Sequence, residues 1–330
     1  MRKKIPGLDA FLTHAGWGDA SADAIPGDAS FRRYYRIREH DRRAMLMHAP
    51  PPHEDPKPFI HVANWLSENG LRAPEIYAAD AAEGWVLLED FGHARMRDWL
   101  DEHPADENAI YRKAIDALVE LHAVPAGPFD PYDMATYQRE AALLVEWYAP
   151  QLGLDVDVAG YAAAWDEALA PLLERQRPPV TVLRDYHAEN IMLLDPTHSE
   201  DGEQGLIDFQ DALAGHAAYD LVSLLQDARR DVSPALEQAM LDHYLSKTDP
   251  GDDFLADYAL LGAQRNAKIV GIFVRLCKRD GKPHYLSMIP RVWEAMERDL
   301  AHPALAPVAR WFDANIPAAI RAAQGGDIPA

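Results

Sequence analysis

The segment LRDYHAENIMLLD, residues 183–195, places three polar side chains between two apolar runs: Asp185, His187 and Asn190. A simple turn is one explanation, because Asp and Asn side chains bond the local backbone where strands reverse. A turn does not account for the segment GLIDFQDA, in which Asp208 ends another short apolar run 18 residues after Asn190. The two segments together indicate a functional site.

An Asp and an Asn five residues apart, followed by a second Asp, suit phosphoryl transfer with Mg²⁺. One carboxylate can position or deprotonate the attacking hydroxyl, while the amide oxygen and the second carboxylate hold the cation against the nucleotide phosphates. The D-x-x-x-x-N spacing alone is a weak indication. Here I-D-F follows after a gap of hairpin length, and both motifs lie in a helical region that follows a strand-rich one. This combination predicts a catalytic site rather than a simple turn.

Composition limits the classes of protein that fit. The 330 residues are enough for two domains of ordinary size or one large domain with two lobes. A net charge of −21 argues against a protein that binds nucleic acid or an anionic membrane through bulk electrostatics. The single cysteine, Cys277, excludes an intramolecular disulfide and a cysteine-based zinc site. Without an apolar run typical of a signal peptide or a membrane span, a cytoplasmic enzyme or binding protein is expected.

The N-terminal part of the chain is predicted to mix strands and helices. DASFRRYYRIRE (residues 28–39) alternates as a strand does, and RRAMLMHAP (residues 42–50) is its predicted hairpin partner. Prolines crowd residues 50–58 and predict a loop. The features expected after it are a helix carrying Phe59, Val62, Trp65 and Leu66 and ended by Gly70, a strand at Trp85–Leu88, and a connector at residues 89–92.

From Arg95 onward the pattern is mainly helical. Apolar residues at helical spacing predict helices within residues 110–122, 137–148 and 221–228, with Asp220 as the N-cap of the last. The two short apolar runs that carry the candidate site interrupt this helical region.

LRDYHAENIM resembles the H-x-D-x-H-x-x-N catalytic loop of the aminoglycoside phosphotransferase-like kinases, and LIDFQDALAGHAAYDL resembles their I-D-F/W-x-x-A-x-x-G-x-x-x-x-D-L segment. The resemblance spans roughly residues 20–300 and implies an α+β, bilobal protein-kinase-like fold. Residues 1–92 would form a strand-rich, nucleotide-binding N-lobe, and residues 93–330 a helical C-lobe with the catalytic loop and substrate site.

The same resemblance implies roles for individual residues, with ATP and Mg²⁺ as cofactors. Asp185 would be the catalytic base, Asn190 and Asp208 the Mg²⁺ ligands, and Asp220 a structural acid that braces the loop. His187 would brace the loop or contact the substrate. Leu183 stands where the family has its first His, which mainly supports loop geometry.

GDASFRRYYRI occupies the position of the glycine-rich nucleotide loop but has a single glycine. Small residues there let backbone N–H groups approach phosphate, although an ordinary hairpin turn is the alternative. The predicted nucleotide-binding residues are Gly27, Asp28, Ala29, Ser30, Arg32, Arg33 and Glu89.

One departure from the family concerns charge. The kinase lysine of the third strand should lie near Met45 or Met47, where no Lys or Arg shares the apolar face, and the helix FIHVANWL has no Glu to pair with it. The joint absence of the lysine and its glutamate partner is self-consistent, because either charge buried without the other would be costly. Arg32 or Arg33 is then expected to meet the phosphates; both could instead be a solvated strand face.

Within the family, the chain is most similar to the bacterial kinases that phosphorylate the anomeric hydroxyl of N-acetylmuramate and N-acetylglucosamine in cell-wall recycling. The residues Gln210 and Asp211 after Asp208 carry this part of the resemblance, which implies that they contact the substrate together with Asp185. Glu140 and Trp147 could line a sugar pocket, although their helix could also expose its acids to water. An aminoglycoside or choline-type kinase and a non-catalytic nucleotide-binding scaffold remain alternatives. The expected partners are small molecules, without nucleic acid or membrane.

Overall fold

The structure is a computed structural model that describes residues 6–25, 31–194 and 202–329. Gly27, Asp28, Ala29 and Ser30 lie outside the described residues, so their predicted contacts with phosphate stay a prediction. No helix in the described ranges is long and apolar enough to cross a membrane.

The chain divides into two compact units. Unit 1 comprises Met1–Glu107 and Glu189–Ala212, and unit 2 comprises Asn108–Ala188 and Leu213–Ala330. The chain therefore passes from unit 2 to unit 1 between Asp185 and Asn190. The predicted lobes, residues 1–92 and 93–330, stay a prediction and differ from this division chiefly in the segment 189–212.

Unit 1 is built on a five-stranded antiparallel sheet with strand order β1-β2-β3-β5-β4. The predicted hairpin is confirmed, because Tyr35 pairs with Leu46 across the second and third strands. The strands are β1 (Ser21–Ile25), β2 (Arg33–Glu39), β3 (Arg42–His48), β4 (Ile76–Asp80) and β5 (Trp85–Leu88).

The two faces of this sheet differ because side chains alternate along each strand. One face packs against α1 (Leu8–His14) in a core that includes Tyr35, Ile37 and Leu46. The other face carries Tyr34, Arg36, Met45 and Met47, which the strand register places opposite one another in pairs. We call this second face the Tyr34 face.

A second hairpin belongs to unit 1 although it comes much later in the chain. It consists of β7 (Ile191–Leu193) and β8 (Gln204–Leu206), paired antiparallel. The N–H of Leu193 donates to the carbonyl of Ala94 at 2.7 Å, and the N–H of Leu206 donates to that of Arg72 at 2.8 Å. These bonds attach the hairpin to the N-terminal part of the chain. The helices of unit 1 besides α1 are α2 (Lys57–Glu68) and α3 (Met96–Glu102).

Unit 2 is mainly helical, with one short antiparallel strand pair. Side-chain N-caps start three of its helices, since Asp133, Asp157 and Ser233 accept bonds from backbone N–H groups of the first turn. The strands are β6 (Val180–Val182) and β9 (Leu213–Gly215). The helices are α4 (Glu107–Ala123), α5 (Met134–Ala141), α6 (Ala149–Gln151), α7 (Val158–Arg175), α8 (Ala218–Leu225), α9 (Pro234–Lys247), α10 (Phe254–Asp280), α11 (Ile289–Leu300), α12 (Ala306–Asn315) and α13 (Ala318–Ala322).

The longest helix, α10, organises unit 2 by packing against α5, α8 and α11. It ends at Gly281, whose φ of 68° is readily adopted only by glycine. Its buried residues include the consecutive polar side chains Gln264, Arg265 and Asn266. The predicted α+β class is confirmed. The predicted N-cap is wrong, because α8 begins at Ala218 and Asp220 is its third residue.

Candidate active site

Asp220 bonds the backbone of the loop that precedes Asp185, which explains why it does not cap α8. Its two carboxylate oxygens accept hydrogen bonds from the N–H groups of Leu183 at 2.6 Å and Arg184 at 2.8 Å. Burial raises the pKa of Asp220 to about 7, although these bonds and the charge of Arg265 act in the opposite direction. The structure thus confirms the expectation that Asp220 braces the loop.

The residue before Asp185 adopts a strained backbone. Arg184 has φ of 71°, in the left-handed region that costs a non-glycine residue about 1–3 kcal/mol. Besides the Asp220 bond, its carbonyl accepts a hydrogen bond from the hydroxyl of Ser223 at 3.1 Å, and its guanidinium pairs with Glu140. Strain that is held by several contacts is typical of a functional site. These contacts hold the backbone next to Asp185 in this conformation.

Asp185 is half-buried among cationic side chains of unit 2. Burial acts to raise the pKa of its carboxyl, but nearby positive charges, led by Lys268 and including Arg265, hold that pKa below its ordinary value. A carboxyl with a lowered pKa is ionised at neutral pH. Asp185 can therefore accept a hydrogen bond or a proton from a hydroxyl.

Glu140 is buried, and charged and polar groups surround its carboxylate. It forms ion pairs with Lys268 at 3.0 Å and with Arg184, and it accepts a hydrogen bond from the hydroxyl of Tyr132. Burial acts to raise the pKa of Glu140, but Lys268 and Arg184 outweigh it and lower the pKa. The predicted contact between Glu140 and a sugar stays a prediction. Trp147 lies half-buried on the wide helical turn Leu144–Tyr148.

His187 is buried in the same loop, and its Nε2 lies 3.3 Å from the Nη1 of Arg229. Burial lowers the pKa of His187 below its ordinary value, so the ring is neutral at pH 7. The next residue, Ala188, donates its N–H to the carboxylate of Asp227 at 3.3 Å. These contacts fit the bracing role, and a substrate contact by His187 stays a prediction.

In unit 1 the second hairpin brings Asn190 and Asp208 together. Asn190 directly precedes β7, its carbonyl accepts from the N–H of Ile207 at 3.1 Å, and its Nδ2 lies 3.3 Å from Oδ2 of Asp208. Asp208 is exposed and has φ of 61°, a left-handed conformation that Asp tolerates better than most residues. Gln210 donates to Oδ1 of Asp208 at 3.0 Å, which positions the carboxylate, while Asp211 is exposed.

The chemistry of these two side chains fits Mg²⁺. Asn190 offers an amide oxygen and Asp208 a carboxylate, both hard oxygen donors. Mg²⁺ in proteins usually takes one or two such ligands and completes its shell with waters and substrate phosphates. Among the residues that the structure describes, no group of three or more His, Cys, Asp or Glu side chains could hold a metal.

The Tyr34 face of the sheet lies on the same side as Asp208. Phe209 stacks on Phe59 of α2 with ring centroids 5.2 Å apart. Burial raises the pKa of Tyr34, and the negative charge of Asp208 adds to the effect. Asp208 therefore lies close enough to this face of the sheet for its charge to act on Tyr34.

Arginines hold the connector at residues 89–92. Glu89 forms a two-point ion pair with Arg72 at 2.6 and 2.7 Å. Arg36 contacts Asp90 at 2.8 Å and donates to the carbonyl of Gly92 at 2.8 Å. The connector is therefore rigidly attached to the sheet, and a contact between Glu89 and the nucleotide stays a prediction.

Comparison with known proteins identifies the family of this chain. The model of the phosphotransferase enzyme family matches residues 21–258, well over half of the sequence. The chain belongs to this family. An N-acetylmuramate/N-acetylglucosamine kinase of Caulobacter vibrioides is 38% identical over 356 aligned positions, which cover 94% of this chain and 96% of that relative. A protein of the same name from Pseudomonas aeruginosa is 38% identical over 309 positions, covering 89% of each chain.

Among solved structures, the streptomycin–ATP–APH(2")-IIa ternary complex superposes with a TM-score of 0.60. The match covers 92% of this chain and 98% of that one at 12% sequence identity. Structural similarity at such a low sequence identity is evidence for the fold alone. It supports the protein-kinase-like class expected of a phosphotransferase family member, and the sequence prediction of that class is confirmed.

Two of the positive charges around Asp185 of this phosphotransferase were not predicted from the sequence. Lys268 and Arg265 lie on α10, about eighty positions further along the chain. The available signal was local, because polar side chains interrupt an otherwise apolar stretch in GAQRNAKIVG, residues 262–271. Their position beside Asp185 depends on how α10 packs, which no motif spacing encodes.

The bracing by Asp220 gives a stability prediction. In Asp220→Asn one of the two backbone N–H groups would face an amide N–H₂ in place of an acceptor, at a fully buried position. An unsatisfied buried group costs about 1–3 kcal/mol, so the free energy of unfolding should fall by that amount. Urea denaturation measures it. The exposed Asp252→Asn is the matched control, and an equal, negligible effect of both variants would contradict the bracing role.

Proposed function

We propose that this phosphotransferase is an ATP- and Mg²⁺-dependent kinase of N-acetylmuramate and N-acetylglucosamine. It phosphorylates the anomeric hydroxyl, releases the sugar 1-phosphate, and works in the cytoplasm in the recycling of peptidoglycan sugars. The substrate assignment is carried by the 38% identity, over 94% of the chain, to a relative named for these two sugars. The reaction is supported by an ionised Asp185 in unit 2 and by Asn190 with Asp208 in unit 1.

Asp185 acts on the sugar. Its carboxylate accepts a hydrogen bond from the anomeric hydroxyl and orients the oxygen toward the γ-phosphorus of ATP. As the new O–P bond forms and the bond to the ADP oxygen breaks, the hydroxyl proton moves to Asp185. Because positive charges lower the pKa of Asp185, its role is chiefly orientation, with proton acceptance late in the transfer.

Asn190 and Asp208 would hold Mg²⁺ together with the nucleotide phosphates. When bound, the ion would neutralise charge on the phosphate oxygens. Gln210 keeps the Asp208 carboxylate in place, and the hairpin bond between Ile207 and Asn190 fixes the spacing of the two ligands.

Charge near Asp185 favours a neutral or acidic sugar over a polycation. Arg184, Arg265 and Lys268 all contribute positive potential at Asp185, and Glu140 forms ion pairs with Arg184 and Lys268. A polycationic aminoglycoside or a choline-type cation would meet repulsion there. N-acetylmuramate carries a carboxylate, for which this potential is favourable.

The proposal is tested with a substrate panel. Wild-type protein with Mg·ATP should turn over N-acetylmuramate and N-acetylglucosamine, while kanamycin and choline should give at most about a hundredth of that kcat/KM, since mismatched charge costs several kcal/mol. ADP release measures the rate, and phosphorus–proton coupling in the NMR spectrum of the product places the phosphate on the anomeric carbon.

A blocked sugar is the matched control for the position of transfer. The methyl glycoside of N-acetylglucosamine keeps every other hydroxyl but has no free anomeric one, so it should not be phosphorylated. Phosphorylation of the glycoside would contradict the anomeric assignment while leaving the kinase assignment in place. Turnover of choline or kanamycin in preference to the sugars would overturn the substrate class.

A further inference from the structure

The chain lacks a lysine on β3 at the position where the family's phosphate-binding cation is expected. Met47 occupies the Tyr34 face there, opposite Tyr34 itself, whose hydroxyl lies 3.5 Å from the Met47 sulfur. A thioether cannot neutralise phosphate charge. Another cation on this side of the sheet must therefore supply it if the protein uses ATP.

Strand alternation distinguishes the two loop arginines. Arg32 lies two residues before Tyr34 and shares its side of the strand, where the two side chains are hydrogen-bonded. Arg33 is exposed and pairs in register with His48. It lies on the same side of β2 as Tyr35, which belongs to the sheet face that packs against α1. Of these two arginines, Arg32 is thus the one on the side of Asp208. Arg36 also lies on the Tyr34 face, but its guanidinium contacts Asp90 and the carbonyl of Gly92.

Arg32 has an acidic partner from another segment. Its Nε lies 3.3 Å from Oε2 of Glu54, and the two side chains are only 17% and 18% exposed. Glu54 belongs to the proline-rich loop directly before α2, the helix whose Phe59 stacks on Phe209 next to Asp208. A cation held in place by a carboxylate at low exposure loses little conformational entropy when it meets an anion.

We propose that Arg32, positioned by Glu54, contacts the β- and γ-phosphates of ATP. This ion pair would replace the family's pair of a lysine on β3 and a glutamate on the following helix, neither of which is found on β3 or within residues 59–66. The inference rests on the proposed function, because it requires ATP as the phosphate donor. Arg32 is the binding residue, and Glu54 is a positioning residue that acts through it. The planar guanidinium suits the task because it can bridge two phosphate oxygens.

A nucleotide series tests the proposal by calorimetry with Mg²⁺ present. Arg32→Gln should weaken the binding of ATP and ADP by about 10- to 100-fold, the effect of losing a charged hydrogen bond, and should leave adenosine within about twofold. Arg32→Lys should recover part of the loss. Arg38→Ala, which removes a 58%-exposed arginine from the same strand, is the matched control. Equal weakening of ATP and adenosine in Arg32→Gln would indicate a merely structural role and overturn the proposal.

The pairing with Glu54 is tested by a double-mutant cycle. Glu54→Gln should weaken ATP binding less than Arg32→Gln does, and the double variant should bind ATP no more weakly than Arg32→Gln alone, because Glu54 acts through Arg32. Strictly additive losses would overturn the positioning role. A loss confined to Arg33→Ala, with Arg32→Gln unchanged, would overturn the choice of arginine.

Different results would refute the sugar kinase function and the role of Arg32. Wild-type protein that does not turn over sugars with ATP refutes the proposed function. Wild-type turnover together with unchanged ATP affinity in Arg32→Gln refutes only the ion-pair assignment.

Discussion

Asp185→Asn should lower kcat for both sugars by about 10²- to 10⁴-fold, the usual contribution of a positioned general base. The amide has nearly the shape of the carboxylate but cannot accept the hydroxyl proton. Because the proposed metal ligands, Asn190 and Asp208, lie in unit 1, Mg·ATP should bind this variant as it binds the wild type. Single-turnover ADP release measures the rate, and calorimetry measures nucleotide binding.

A measurement of stability distinguishes loss of catalysis from loss of structure in Asp185→Asn. The variant should still unfold cooperatively in urea, because Asp220 and Glu140 hold the loop through Arg184. The exposed Asp252→Asn controls for the change of charge. A turnover near normal in Asp185→Asn would remove this residue from the mechanism.

The parts of the site that the sequence predicted are those encoded by local pattern. The hairpin of β2 and β3 follows from alternation, and it places Met45 and Met47 on one face, as expected. The approach of Asn190 to Asp208 follows from two short apolar runs that pair as β7 and β8. The role of Asp220 came from family resemblance, whereas the helix-capping rule alone misplaced it.

The parts that the sequence did not predict depend on contacts between distant segments. Lys268 reaches Glu140 from α10, and Glu54 reaches Arg32 from the proline-rich loop. Ion pairs of this kind have no characteristic spacing, since the loops and helices between the partners set their separation in the chain. The sequence therefore narrows the proposed phosphate-binding cation to Arg32 or Arg33, and the pairing with Glu54, which favours Arg32, is visible only in the structure.

Asp208→Ala should abolish the dependence of nucleotide affinity on Mg²⁺ and lower kcat by at least about 10²-fold, because a bound cation contributes several kcal/mol to stabilising the transferring phosphoryl group. Asn190→Ala, which removes the neutral ligand, should instead raise the Mg²⁺ concentration needed for half-maximal rate. Calorimetry of ATP with and without Mg²⁺ measures the first effect, and a Mg²⁺ titration of the rate measures the second.

The backbone at Asp208 makes a second variant necessary. With φ of 61°, alanine would add strain at this position, whereas asparagine tolerates the left-handed region much as aspartate does. Asp208→Asn therefore removes the charge without the strain and should lose Mg²⁺-dependent ATP binding as Asp208→Ala does. Asp41→Asn, at an exposed position of the same unit, is the control. If Asp208→Asn bound Mg·ATP with wild-type affinity and only Asp208→Ala failed, Asp208 would maintain the turn after β8, and the metal ligand would have to be sought elsewhere.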